Sequence, residues 1–525
     1  MSRFLVSAAH KSSGKTTVSI GLCAALRARG LAVQPFKKGP DFIDPMWLSA
    51  AAGRACRNLD PYLSPAADLR DSLALHGRDA DVCVVEGNIG LHDGMSADGR
   101  DSSAGLAKAL GLPVVLVLDT RGMTRGVAPL LIGYRTFDTD LRIAGVILNR
   151  VGGARHEAKL RAAIAQSTDM AVLGVLHEAP SHQIVERHLG LVPSSESTEA
   201  HERIEGLGAF VAAGVDLDRL LALTHTGADE AGTHSPVCAE PQSPKPAGHR
   251  ESASVAVIAP AETPVDEAVP WPDSRGASAV IAHSPTTTPL PASSRRPDGA
   301  PRPIRVAIAR NEAFGFYYPD DLEAFVAAGA TLVAFDPLRD ASLPEVEALF
   351  IGGGFPEVMA NALSENRRLR EDIRRRLAEG LPAYAECGGL MYLARSLQWG
   401  TSRVEMVGAI PGDVIMHERP VGRGYVHLEE TADSPWPGRW HGTIRAHEFH
   451  YSSLGNLPAD ARYAYRVTRG HGIDGDRDGL VIGNLLASYT HLRSLPGRDW
   501  PARFVAFARA ACVHSEDSHA GHTHR

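Results

Sequence analysis

With 525 residues, of which 44% are hydrophobic, 22% charged and 6% aromatic, the chain is too long for one ordinary core and predicts two or three globular domains of soluble type. A net charge of −7 with no basic stripe argues against a nucleic-acid partner, because phosphate contacts need clustered Lys and Arg. The longest apolar runs are strand-sized or broken by charge, and the first residues carry no signal-peptide pattern, which predicts a cytoplasmic protein without a membrane partner.

Arg3 to Ala9 reads as a buried strand, His10-Lys11-Ser12-Ser13-Gly14-Lys15-Thr16-Thr17 as a loop, and Val18 to about Arg29 as an amphipathic helix. Strand, Gly-Lys-Thr loop and helix in that order form a phosphate-binding loop. Backbone N–H groups around Ser13, Gly14 and Thr17 would cradle phosphates, Lys15 would reach the β/γ-phosphates of a nucleotide, and the Thr16 hydroxyl would hold Mg²⁺. The leading Gly of the usual motif is Ala9 here. A second strand, expected to end at Phe36, delivers Lys37, Lys38, Asp41 and Asp44 into one turn, and the strand Val82 to Val85 ends in Glu86, from which a second carboxylate would reach the Mg²⁺. Further strands, Pro113 to Leu118 and Ile143 to Leu148, lead to Asp119-Thr120-Arg121-Gly122 and Asn149-Arg150. Alternating strands and helices predict an α/β domain with a doubly wound parallel sheet over residues 1–226, its polar strand ends on one rim where ligands bind.

The loop, Phe36-Lys37-Lys38-Gly39-Pro40-Asp41-Phe42-Ile43-Asp44-Pro45, Asn58-Leu59-Asp60, the run from Glu86-Gly87 to Asp93-Gly94 and Glu186-Arg187-His188-Leu189-Gly190-Leu191 together resemble the cobyrinate a,c-diamide synthase family. That family is part of a larger group that includes dethiobiotin synthetase. The resemblance implies that ATP phosphorylates acetate side chains of a tetrapyrrole and that ammonia attacks the resulting acyl phosphate. It makes Asp41 and Glu86 metal or phosphoryl-site carboxylates, puts Lys38, Asp44 and Asp93 on the acceptor side, and gives Asn149 the setting of an adenine-contacting residue. Phe42 stands where many members carry Tyr.

From 227 to 302 the pattern dissolves into Pro, Ser, Thr, Ala and Gly, a composition that predicts a flexible linker; Ser254 to Ala259 is its one strand-like run. Residues 303–510 then read as a second α/β domain, with strands at Ile304 to Ala309, Thr331 to Phe335 and Ala348 to Ile351. In Ala383-Tyr384-Ala385-Glu386-Cys387-Gly388-Gly389-Leu390 a short buried strand turns sharply into a helix at Cys387, which makes a nucleophile elbow. A thiol at a helix N-terminus is favoured as thiolate, and the N–H groups of Gly388 and of Gly353 and Gly354, after the preceding strand, would form an oxyanion hole. Cys387 is one of six scattered cysteines with no Cys-x-x-Cys pair, so neither a zinc site nor a disulfide framework is expected.

This second half is similar to the flavodoxin-like class I glutamine amidotransferase domains of the cobyrinate and cobyric acid synthases. The resemblance implies attack by Cys387 on the side-chain amide of glutamine, a γ-glutamyl thioester and release of ammonia. His491, at the end of a strand-like run, occupies the position of the family's cysteine-activating His. His447 and His450 compete for that role and otherwise lie on the interface and substrate side. Where many class I glutaminases place a Glu two residues beyond the His, this chain has Arg493. That leaves a Cys-His dyad or a third member from elsewhere.

Residues 511–525 form a polar, His-rich tail, either a disordered terminus or a transition-metal tract. The implied co-substrates are ATP and L-glutamine, with Mg²⁺ as cofactor and a small-molecule tetrapyrrole as partner; a homodimer stays open. The wording of Asn88-Ile89-Gly90-Leu91-His92 and Asp119 to Gly126 resembles relatives that amidate sirohaem or sirohydrochlorin, so the macrocycle stays open too. A reading of another class is a P-loop nucleotide switch or metallochaperone with a relic glutaminase domain.

Overall fold

Seven strands of the first half align side by side in the order β3-β2-β4-β1-β5-β6-β7, every pair parallel. They are β1 (Ser2–Ala8), β2 (Val33–Lys38), β3 (Arg57–Leu59), β4 (Val82–Glu86), β5 (Val114–Asp119), β6 (Ile143–Val151) and β7 (Val172–His177). The computed structural model describes residues 1–179, 199–225 and 302–520, together with the strands Glu186–Arg187, Gly190–Leu191 and Ile281–Ala282; over 513–520 the backbone alone is described. The linker expected at 227–302 and most of the Glu186 to Leu191 block therefore lie outside the described residues.

A sheet covered by helices on both faces needs strands apolar on both sides, and β1, β4 and β5 are almost wholly buried runs of Val, Leu, Phe and Cys. One face packs on α1 (Lys15–Ala28), α2 (Ile43–Ala52) and the helix Ala200–Gly214 through Val18, Leu22, Trp47 and Leu207. The other face carries Leu73, Leu106, Leu131 and Leu160. Register then brings the polar strand ends together: Lys37 and Val6 both pair with Glu86, and Asp119 pairs with Asn149.

The second strand departs from its expected end at Phe36. β2 continues through Lys38, and both lysines are buried in it rather than displayed in the turn. Facing carboxylates compensate the buried charge of Lys37, as described below, so the backbone ladder extends without a penalty for unpaired charge.

The second half is built on a ten-stranded mixed sheet. Strands Ala330–Phe335, Ile304–Ala309, Ala348–Ile351, Ala383–Glu386 and Leu485–Ser488 are parallel neighbours in that order. Antiparallel strands Arg477–Ile482, Arg462–Arg469, Gly422–Glu430 and Ile444–His450 continue it. The antiparallel extension matters because its last strand folds His447 back against His491, through an isolated bridge between the two residues. The closing helix runs Trp500–Ala520, so ten residues of the expected tail continue it. No helix among the described residues is long and apolar enough to cross a membrane.

Candidate active site

Strand Ala383–Glu386 leads directly into helix Gly388–Leu393, with Cys387 between them at φ 48° and ψ −103°. That is a left-handed, strained conformation for a residue with a Cβ, and it is held by the Cys387 N–H donating to the Ser488 carbonyl at 2.7 Å. The elbow read from the sequence is therefore formed, with Cys387 only 6% exposed. The two neighbouring glycines are required by space. A Cβ on Gly388 would lie 3.0 Å from the Gly354 nitrogen, and one on Gly353 would lie 2.7 Å from Cε1 of His491. The backbone of 353–354 is thus pressed against both the elbow and the imidazole.

His491 is the histidine brought to the thiol. Burial would lower its pKa, but hydrogen bonds to Cys387 and Glu386 outweigh burial and push it up to about 10. Its Nδ1 lies 3.4 Å from Oε2 of Glu386. The other Glu386 oxygen accepts from the Leu492 N–H at 3.0 Å and from the Tyr384 hydroxyl at 2.8 Å. Buried Asp478 organises the approach to His491, accepting from the Ser488 hydroxyl and from the Tyr489 and Thr490 N–H groups. His447 stacks on His491 with centroids 4.9 Å apart, and burial, His491 and Arg493 all hold its pKa well below the ordinary range. An imidazole whose pKa is held that low is too weak a base to take the thiol proton, so His447 walls the site. His450 points elsewhere: its ring stacks on Tyr489 at 3.9 Å and its Nδ1 meets the Ser452 carbonyl at 2.8 Å.

At the other site Gly14, in a left-handed conformation at φ 90°, opens α1 and lets the loop wrap over the helix N-terminus. Lys15 is buried there, and that burial lowers its pKa. The Thr16 hydroxyl donates to Oε1 of Glu86 at 2.6 Å and approaches Asp44 at 3.4 Å. Lys37 forms ion pairs with Asp44, with Glu86 at 3.2 Å and with Asp41 at 3.8 Å. Burial would strip its proton, but these carboxylates hold its pKa above the ordinary lysine range. Burial pushes Asp41 up to about 7, with Asp44 adding and Lys37 opposing. Asp41 also accepts the N–H groups of Ile43 and Asp44, so it caps α2 while Asp44 makes the direct contact with Thr16. Asn149 donates to the Ser13 carbonyl at 2.9 Å, fastening the phosphate loop to β6. Asp93 is exposed on the same rim and accepts from the Gly90 N–H at 3.2 Å, whereas Lys38 is buried near Asp60 and Asp101.

The two sites face each other. The ring of Phe42, between Asp41 and Asp44, lies 5.0 Å from the His491 ring, 5.6 Å from His447 and 4.4 Å from Tyr318. Around it the domains are tied by polar contacts. Tyr318 donates to the Pro40 carbonyl at 3.1 Å, Tyr425 to Asp60 at 3.0 Å, and Arg57 to Asp320 at 2.7 Å. Arg493 donates to the Asn58 carbonyl and to Asp320, while the Asn58 amide holds the Gly39 and Asp41 carbonyls, each at 2.8 Å.

Residues 5–192 match the CobQ/CobB/MinD/ParA nucleotide binding domain, and residues 305–498 match the CobB/CobQ-like glutamine amidotransferase domain. The chain is 42% identical over 507 residues to the cobyrinate a,c-diamide synthase of Magnetococcus marinus, covering 97% of both chains. The chain belongs to the cobyrinate a,c-diamide synthase family. The corresponding protein of Methanosarcina barkeri is 37% identical, covering 97% of this chain and 96% of its own. The hydrogenobyrinate a,c-diamide synthase of Streptomyces coelicolor is 42% identical over 454 residues, covering 85% and 86%. Membership makes the chain a glutamine-hydrolysing carbon–nitrogen ligase that uses ATP and glutamine, with a nucleotide-binding domain joined to an amidotransferase domain.

Within this family member the phosphate-loop residues, Glu86 and Asp44 meet at one rim, and Cys387, His491, Gly353, Gly354 and Gly388 meet at the other site. His450 joins neither. Reading the sequence missed Glu386, although a lone acid closing a buried Ala-Tyr-Ala strand is a signal in itself. It also missed the interface: Tyr318, Tyr425 and Arg57 belong to no motif, and their partners come from the other domain.

Proposed function

We propose that the chain amidates the a- and c-acetate side chains of a cobyrinate-type corrin, one ATP and one glutamine being consumed per amide. The observation that carries this reading is the placement of Cys387–His491 against the Asp41–Asp44 loop across a single aromatic ring.

A carboxylate is a poor electrophile, so the acetate first takes the γ-phosphoryl group of ATP, forming an acyl phosphate and ADP. Lys15 and the backbone of the phosphate loop hold the polyphosphate in line with the acceptor. Glu86 and the Thr16 hydroxyl are oxygen donors of the type Mg²⁺ prefers, and Oε2 of Glu86 is buried without a hydrogen-bond partner. These two residues, with Asp41 or Asp44, would hold the ion, which when bound neutralises phosphate charge. Lys38 and Asp93 lie on the acceptor side of the same rim.

At the second site the Cys387 sulfur attacks the glutamine amide carbon, and the oxyanion faces the N–H groups of Gly354 and Gly388. His491, kept protonated by Glu386, gives its proton to the leaving nitrogen, so ammonia departs and the γ-glutamyl thioester remains. Water then hydrolyses the thioester to glutamate and restores the thiol. Ammonia attacks the acyl phosphate carbon, the C–O bond to phosphate breaks, and one ammonia proton leaves with inorganic phosphate. A nucleotide switch with a relic glutaminase would have no use for a buried acid aligned on His491.

The acceptor is tested by incubating the protein with glutamine, Mg-ATP and, separately, cobyrinate, hydrogenobyrinate, sirohydrochlorin and sirohaem. Each amide formed lowers the product mass by about 1 Da through exchange of OH for NH₂. Two such steps on a corrin are expected; amidation of the siro-type macrocycles alone would move the acceptor to that branch.

A further inference from the structure

Cys387 and His491 are 6% and 3% exposed, so the thiol site does not open broadly to solvent. Its side toward the ligase domain is closed by aromatic rings. Phe42 stacks on Phe316 at 5.3 Å, leans on Tyr318 at 4.4 Å and covers the imidazoles of His491 and His447. Phe42 is contributed by the other domain. It immediately precedes α2, one residue after Asp41 and two before Asp44, so the ring is carried by the loop that reaches Thr16 and Lys37. Any shift of that loop as phosphate and acceptor settle against it moves the ring.

We propose that Phe42 is the partition between the two active sites, and that ammonia crosses from Cys387 to the acceptor loop at the position its ring now fills. This rests on Cys387 and His491 being the source of ammonia. Free ammonia is protonated in neutral water and is then no nucleophile, so the transfer has to keep it neutral. A crossing walled by Phe42, Phe316, Tyr318 and an uncharged His447 offers a desolvated surface that penalises the ammonium ion and admits the neutral molecule. With the ring in place, ammonia made before an acyl phosphate exists is retained. With the loop displaced, the way to the acceptor is short.

The test uses the full chain with Mg-ATP, a competent macrocycle, glutamine labelled with ¹⁵N in its amide, and unlabelled ammonium in the buffer. Wild-type protein is expected to form one glutamate per amide and to place mainly ¹⁵N in the product. Phe42→Ala is expected to raise glutamate formed per amide at least about twofold and to dilute the ¹⁵N, with ammonium-driven amidation retained. Phe42→Tyr is expected to restore the wild-type ratio. Phe316→Ala alters the facing wall of the same crossing and is expected to leak likewise, which keeps the test open should Phe42→Ala not fold. Unchanged stoichiometry and undiluted label in both alanine variants would overturn the proposal, as would loss of ammonium-driven amidation in Phe42→Ala with a wild-type ratio in Phe316→Ala. Continued glutamate release by Cys387→Ser would instead sink the underlying assignment of the ammonia source.

Discussion

Glu386 and His491 are 105 positions apart in the chain, yet the carboxylate of one lies 3.4 Å from Nδ1 of the other, both buried beside the thiol. The acid that orients the imidazole comes from the residue just before the nucleophile. It does not come from two residues beyond the histidine, where Arg493 turns instead to the other domain. One strand end therefore supplies both the nucleophile and the group that orients its partner and helps hold the partner's proton.

Glu386→Gln should reduce glutamine-dependent turnover by about a hundredfold while leaving amidation from ammonium intact, since a positioned acid–base pair contributes roughly 10²–10⁴ in rate. Loss of the carboxylate has a second signature. Without the carboxylate the pKa of His491 falls, so the alkaline limb of the glutaminase profile should move to lower pH. A variant with reduced rate but an unmoved limb would mean that Glu386 serves packing alone.

The same group ties stability to pH. His491 keeps its proton in the folded protein up to about 10, against 6.5 for an unperturbed histidine. Because the folded pKa is the higher one, its contribution is complete below 6.5 and is lost as pH rises through about 10. Chemical denaturation across that window should show wild-type stability falling more steeply than that of His491→Gln.

Lys15→Ala should stop amidation from both glutamine and ammonium, because without a phosphorylated acetate neither source has an electrophile. Rate loss is expected at the level of about 10³-fold, typical of a removed phosphate-clamping charge. Comparing the two nitrogen sources on one variant separates a ligase defect from a glutaminase defect.

Arg493→Ala should loosen the docking of the domains. The guanidinium is buried, faces the Asn58 carbonyl and pairs with Asp320 at 3.1 Å, and removing one partner of such a buried contact costs about 3 kcal/mol. The expected result is thermal unfolding that separates into two transitions, together with more glutamate released per amide formed. Arg57→Ala, which removes the neighbouring ion pair to Asp320, should act in the same direction.

Much of this was legible in the sequence because it is local. A strand, a Gly-Lys-Thr loop and a helix follow each other within thirty residues, and the Ala-Tyr-Ala-Glu-Cys-Gly-Gly run carries its own turn. Two of the five non-glycine residues with positive φ among the described residues are Ser12 in the phosphate loop and Cys387 at the elbow, where strain is tolerated. What the sequence did not disclose depends on distant pairings. Lys37 reads as a loop residue until Asp41, Asp44 and Glu86 are seen to offset its burial in β2. Asp41 and Asp44 were distinguishable only once Asp41 was found capping α2. His450 looked equivalent to His447 until the antiparallel strand turned alternate residues to opposite faces, one toward Phe42 and the other toward Tyr489.

The central claim is that one chain makes ammonia at a thiol and uses it at a nucleotide site. Its most direct test is the nitrogen source of Cys387→Ser, followed by mass spectrometry of the macrocycle with glutamine or with ammonium as donor. No amide from glutamine, and an undiminished pair of amides from ammonium with one ATP hydrolysed for each, is the predicted result. Amides formed from glutamine by this variant, or none formed from either donor by a folded protein, would contradict it.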